Sequence, residues 1–163
     1  MINLGDFDGL IRDYTCSFLY GFFEKINKHW ILHTKILGLY YSMKLCRDTG
    51  FKQVLCLSDS TNVVDFVQKN LNVHHKYENL IMAKNLLRRH WMVSIRHTFC
   101  EGNVPADFLT KRSALNDSRL VILHEAPSWY DLCPLSICHG ALSLFDPSLN
   151  IFLLFYFPFY NNE

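Results

Sequence analysis

The chain has 163 residues, 50% of them hydrophobic and 15% aromatic, enough for one domain with a real core. Its 16 basic and 15 acidic residues leave a formal charge of +1, which excludes a strong overall field toward a polyanion or an anionic membrane. Six scattered cysteines with no secretory signal peptide ahead of them predict reduced thiols in an intracellular protein, nuclear or cytoplasmic.

Residues 1–9 carry Gly5 and Gly9 and are too short and too broken to predict a strand of their own. Two extended pieces, Leu10-Ile11-Arg12 and residues 18–23, flank Asp13-Tyr14-Thr15-Cys16-Ser17 and predict a hairpin. A helix is predicted over 32–48, because Leu32, Ile36, Leu39, Met43 and Cys46 recur at three- and four-residue steps and Gly50 stands just past the end. Only a few residues then separate this helix from Gln53-Val54-Leu55-Cys56-Leu57-Ser58, a strand-forming run that stops at Asp59. That connectivity is α/β, and it puts Asp59 at the carboxyl edge of a sheet, where open α/β folds place their ligands. The plain alternative is that Asp59 or Ser60 caps the helix beginning near Asn62.

Residues 61–67 read as a short helix and 70–75 as a polar loop with paired histidines. Residues 77–89 read as a helix ended by Arg88-Arg89, which complement a helix C-terminus and, with His90 and Arg96, could instead track phosphates. After Trp91, apolar and polar residues alternate up to His97, as in a half-exposed strand. A loop leads from Thr98 to a short helix with Pro105 in its first turn and Asp107 following. Beyond Lys111 the pattern weakens to one further strand, Leu120-Val121-Ile122-Leu123, with Pro127, Pro134 and Pro147 interrupting what remains. Residues 149–160 are almost wholly apolar yet shorter than the roughly 20 residues a bilayer span needs. No membrane segment is therefore expected, and the stretch reads as a partner surface or an aggregation-prone patch.

Asp59, His97 and Asp107 lie at strand or helix ends that one sheet edge gathers. The segment from His97 through Glu101-Gly102-Asn103 to Ala106-Asp107-Phe108-Leu109 resembles the last active-site motif of type-1 ribonuclease H domains. It is most similar to the plant branch, found in retroelement polyproteins and as stand-alone proteins. Gly9-Leu10-Ile11-Arg12-Asp13 resembles that family's second strand, and Leu57-Ser58-Asp59-Ser60 with Val63-Val64 resembles its fourth strand and the helix after it. The resemblance covers about residues 5–125; residues 1–125 are expected to form the domain, with 126–163 as a separate tail.

The resemblance implies a mixed sheet flanked by helices and an endonuclease that hydrolyses the RNA strand of an RNA–DNA hybrid with two magnesium ions. Hard divalent ions take oxygen ligands, and a metal pair stabilises both the attacking and the leaving oxygen of an in-line displacement. Asp59 and Asp107 match the third and fourth metal-binding carboxylates of the family. His97 matches a mobile histidine that assists proton movement or product release, and Ser60 and Asn103 are the expected nucleic-acid contacts.

Two departures bear on activity. The family's first strand, with the first aspartate, belongs upstream of a turn matching Asn3-Leu4-Gly5, so the sequence is expected to lack it, and Asp6 and Asp8 fall in that turn region. On the first helix, Leu32-His33-Thr34-Lys35-Ile36-Leu37 places Lys35 where the family has a glutamate. Lys35 is expected to pair with Asp59 or Asp107, to weaken or abolish magnesium binding and to leave this copy impaired, or a non-catalytic nucleic-acid-binding relic. Without the first strand, the hairpin is expected either to close onto the strand at 53–58 or to leave exposed edges. A zinc site from Cys133, Cys138 and His139 with His124, or from His97 and Cys100, lacks the paired short spacing of structural zinc modules. A Cys100 nucleophile beside His97 lacks a third, orienting group.

Overall fold

The computed structural model describes residues 5–26, 31–69, 78–97, 119–128, 130–132 and 151–156. In chain order these form β1 (Gly5–Asp13), β2 (Phe18–Ile26), α1 (Ile31–Asp48), β3 (Gln53–Ser58), α2 (Thr61–Gln68), α3 (Glu78–Leu87), β4 (Met92–His97), β5 (Val121–Leu123), a 3-10 turn (Tyr130–Leu132) and β6 (Ile151–Tyr156). The loops and short helix expected at 70–75 and 98–107 lie outside the described residues.

The hairpin forms as expected, but β1 starts at Gly5, several residues earlier than the glycines suggested. Gly9 does not break the strand, because it sits opposite Phe22, whose ring covers the space a side chain would take. A Cβ built on Gly9 would lie 2.2 Å from Phe22 Cζ, so the position accepts only glycine without a shift. The turn is organised by Asp13, whose Oδ1 accepts from the Thr15 and Ser17 amides at 2.9 Å each. Cys16 takes a left-handed φ of 65°, and its carbonyl accepts a 2.7 Å hydrogen bond from the Tyr130 hydroxyl. That long-range bond helps offset the roughly 1 kcal/mol cost of a left-handed non-glycine residue.

Helix α1 buries Ile36, Leu39, Met43 and Cys46, the periodic face the sequence displays. It ends in a Schellman motif: Phe51 N–H donates to the Cys46 carbonyl at 3.0 Å and Gly50 N–H to Arg47 at 2.9 Å, with Gly50 at φ +87°. The main core lies where α1, α2 and α3 pack on the sheet, through Phe7, Ile11 and Phe22 from the hairpin, Val54 and Cys56 from β3, and Ile95 from β4. A smaller cluster of Leu10 and Phe23 with Phe18, Val121, Leu123 and Tyr130 covers the other face of the hairpin. Among the described residues no helix is long and apolar enough to cross a membrane.

The sheet order is β4-β3-β6-β1-β2-β5. β6, part of the apolar stretch expected in a tail, runs parallel to β3 (Leu55 opposite Phe152, Ser58 opposite Phe155) and antiparallel to β1 (Asp8 opposite Tyr156, Asp13 opposite Ile151). It therefore fills the place expected for the missing first strand, and neither expected outcome holds: the hairpin does not close onto β3, and the edges of β1 and β3 are paired. An apolar run of strand formers suits a strand with neighbours on both edges.

Candidate functional site

β3 is buried from Val54 through Ser58, and it delivers Asp59 to the end of the sheet, where Asp59 is 8% exposed. The chain then turns into α2. Ser60 is extended at φ −97°, and its hydroxyl accepts from the Val63 amide at 3.4 Å, so it is the N-cap of the helix. Its own amide donates to Ser58 Oγ at 3.2 Å. These local bonds engage Ser60 in holding the turn and fix the direction in which Asp59 leaves β3.

The parallel pairing of β3 with β4 sets Ser58 opposite His97, which brings His97 beside Asp59. His97 Nε2 lies 3.2 Å from the Asp59 backbone oxygen. A carbonyl oxygen only accepts, so Nε2 carries the proton in this contact. Helix α1 supplies the third member. Lys35 is 5% exposed, and its Nζ donates to Asp59 Oδ1 at 3.4 Å, with the Asp59 side chain fully shielded from water. Asp59 is thus one of the two partners expected for Lys35. Asp107 and Asn103 lie outside the described residues, as do Cys100, Cys133, Cys138 and His139.

The strand on the other side of β3 offers no acid. Phe155 faces Ser58 in register, the next residue is Tyr156, and β6 contains no carboxylate from Ile151 to Tyr156. Asp8, placed by the sequence in a turn, is instead a buried residue inside β1, with Phe23 and Tyr156 as its Cα partners. The glycine spacing that suggested a turn reflects close packing at Gly9, and alternation along residues 5–13 was the signal for a strand.

The chemistry of this corner follows from charge. A carboxylate already facing an ammonium at 3.4 Å is a poor ligand for a divalent cation, because the ammonium repels the ion while occupying the oxygen. Among the described residues no three histidine, cysteine, aspartate or glutamate side chains are grouped to hold a metal. These residues do not fit a two-magnesium centre. What they do form is a buried ion pair with a histidine against its backbone.

A family model described as reverse transcriptase-like matches residues 2–113. A protein of Arabidopsis thaliana named as a ribonuclease H is 26% identical over 108 residues, which are 66% of this chain and 17% of that relative. The chain thus corresponds to a small part of the relative's length. No solved structure matches it.

Proposed function

Because the chain belongs to the reverse transcriptase-like family, whose domains are ribonuclease H-like, we propose that it is a nucleic-acid-binding domain in which hybrid hydrolysis is impaired. The observation that carries this reading is the Lys35 to Asp59 pair. By resemblance the position of Lys35 belongs to a metal-binding glutamate and Asp59 to a metal-binding aspartate. Putting a lysine there replaces a removable external cation with a permanent internal one. At 3.4 Å and an effective dielectric near 20, each unit-charge interaction amounts to on the order of 5 kcal/mol, so exchanging attraction for repulsion removes most of the affinity for a metal ion.

The pair holds Asp59 in place, and the turn at Ser60 and the contact from His97 keep the shape of the corner. Shape and substrate recognition are thereby separable from hydrolysis. The partner that this reading favours is an RNA–DNA hybrid, and magnesium has no required part in holding the fold.

A cleavage assay on labelled RNA–DNA hybrid in magnesium, run alongside hybrid binding by fluorescence anisotropy, tests the proposal. The unaltered protein is expected to bind the hybrid and leave it intact. Magnesium-dependent cleavage that disappears in Asp59→Asn overturns the impaired reading, and failure to bind any hybrid overturns the nucleic-acid reading.

A further inference from the structure

We propose that a second site, at the opposite end of the sheet from Asp59, binds the phosphate backbone of a single nucleic-acid strand. The site is a cleft of about 540 Å³ between two consecutive helix-to-strand connections. One connection leaves α1 and enters β3, contributing Arg47 and Lys52, and the other leaves α3 and enters β4, contributing Arg88 and Arg89. The two are tied together where the Met92 amide donates to the Lys52 carbonyl at 2.7 Å, next to the register pair of Gln53 and Met92. Six residues of strand separate this edge from Ser58 and His97, about 20 Å at the ordinary rise of a strand.

The charge of the cleft is one-sided. His90 adds a further basic group, and among the described residues no carboxylate lines the walls. Asp48, the acidic residue nearest in sequence to Arg47, is held by Lys44 at 2.9 Å and lines a different depression. Among the described residues Arg47, Lys52, Arg88 and Arg89 enter no ion pair. Four of the 16 basic side chains of a nearly neutral protein thus line one cleft, with no carboxylate among its described lining residues. Favourable interaction with helix C-termini explains Arg47, Arg88 and Arg89 one at a time. It does not explain Lys52, which lies past the end of α1, nor why both connections turn their cations toward one space.

The aromatic lining selects among anions. Phe51 and Trp91 border the same cleft, both half-buried. The Schellman bond to Cys46 fixes the backbone of Phe51, and Trp91 is held by its indole N–H, which donates to the Leu86 carbonyl at 2.6 Å. Rigid rings among arginines are the pattern by which single strands are held, with bases on aromatic faces and phosphates on cations. A free phosphate or polyphosphate would use the cations alone. This inference rests on the nucleic-acid reading given above and adds a position and a ligand class to it.

The test is anisotropy of a labelled 12-nucleotide single-stranded RNA on the full chain, with Arg47→Gln/Lys52→Gln and Arg88→Gln/Arg89→Gln as double variants. Hybrid binding and thermal melting are measured in parallel. The four positions are at the surface, so melting temperatures are expected to stay within a few degrees. Each double variant is expected to weaken single-strand binding tenfold or more. The slope of log Kd against log salt should fall by roughly 1.4 in each, the value for two lost phosphate contacts on a single strand. Unchanged affinity and slope in folded variants overturn the cleft while leaving the nucleic-acid reading in place if the hybrid still binds. Equal affinity for inorganic polyphosphate of the same length overturns the assignment to a nucleic-acid strand. Absence of binding to both RNA and hybrid overturns the cleft and the broader reading together.

Discussion

Lys35 Nζ donates to Asp59 Oδ1 across 3.4 Å, from a helix to a strand end, with the two side chains 7% and 0% exposed. Removing one member takes a 3.4 Å ionic partner from a buried side chain. Lys35→Met is therefore expected to lower unfolding stability by about 3 to 5 kcal/mol, and Asp59→Leu by a similar amount. Lys35→Met combined with Asp59→Leu should cost much less than the sum, because neither charge is stranded. Urea denaturation of the three variants measures this, and additive losses would show that the pair is not an energetic unit.

β6 is the strand that joins the β4-β3 pair to the hairpin. Leu153→Pro removes a strand amide in the middle of the sheet and is expected to cost about 3 kcal/mol or more, with loss of cooperative unfolding. Ile122→Pro, in the terminal strand β5, should be milder. Equal effects at the two positions would argue that β6 does not hold the centre.

Gly9→Ala drives a methyl into the ring of Phe22, which is 1% exposed. A loss of about 1 to 3 kcal/mol is expected. Combining it with Phe22→Leu should cost less than the two single losses added, since the smaller side chain relieves the collision. Thermal melting of the three proteins reads the coupling.

Burial pushes the Cys46 thiol from 9.0 up to about 12, and burial with the neighbouring Cys46 pushes the Cys56 thiol up as well. Both are neutral when protonated, so the folded state keeps protons that the unfolded chain releases above pH 9. Stability is thus complete below pH 9 and falls as pH rises from 9 toward about 12, at most between about 1 and 2 kcal/mol per pH unit for each thiol. Urea midpoints from pH 8 to 11 should show a steeper decline for the unaltered protein than for Cys46→Ala/Cys56→Ala. The same burial makes these thiols slow to alkylate in the native state.

Much of this arrangement is legible in the sequence because it is local. The spacing of Leu39, Met43 and Cys46 specifies the buried face of α1, Gly50 specifies its end, and the apolar run before Asp59 specifies a strand reaching a sheet edge. The meeting of Asp59 with His97 also follows, since each ends a strand of the same parallel pair. The place of β6 does not follow. Its apolar run names no neighbours, and those it has, at 8–13 and 55–58, are remote in sequence. Asp8 was missed for a related reason: its burial comes from strands on both sides, one of which is β6. The cleft between Arg47 and Arg89 is likewise assembled from segments some forty residues apart, and only the Arg88-Arg89 half was visible as a motif.

Protein synthesis gives the position of β6 a further consequence. A ribosome makes β1, β2, β3 and β4 long before it makes residues 151–156, yet those six residues separate β1 from β3. The sheet cannot close as it emerges, and each growing chain carries two open strand edges until Tyr156 has cleared the exit tunnel. Of the six described strands β6 is made last, and the interval before it is when neighbouring nascent chains are best placed to pair with one another.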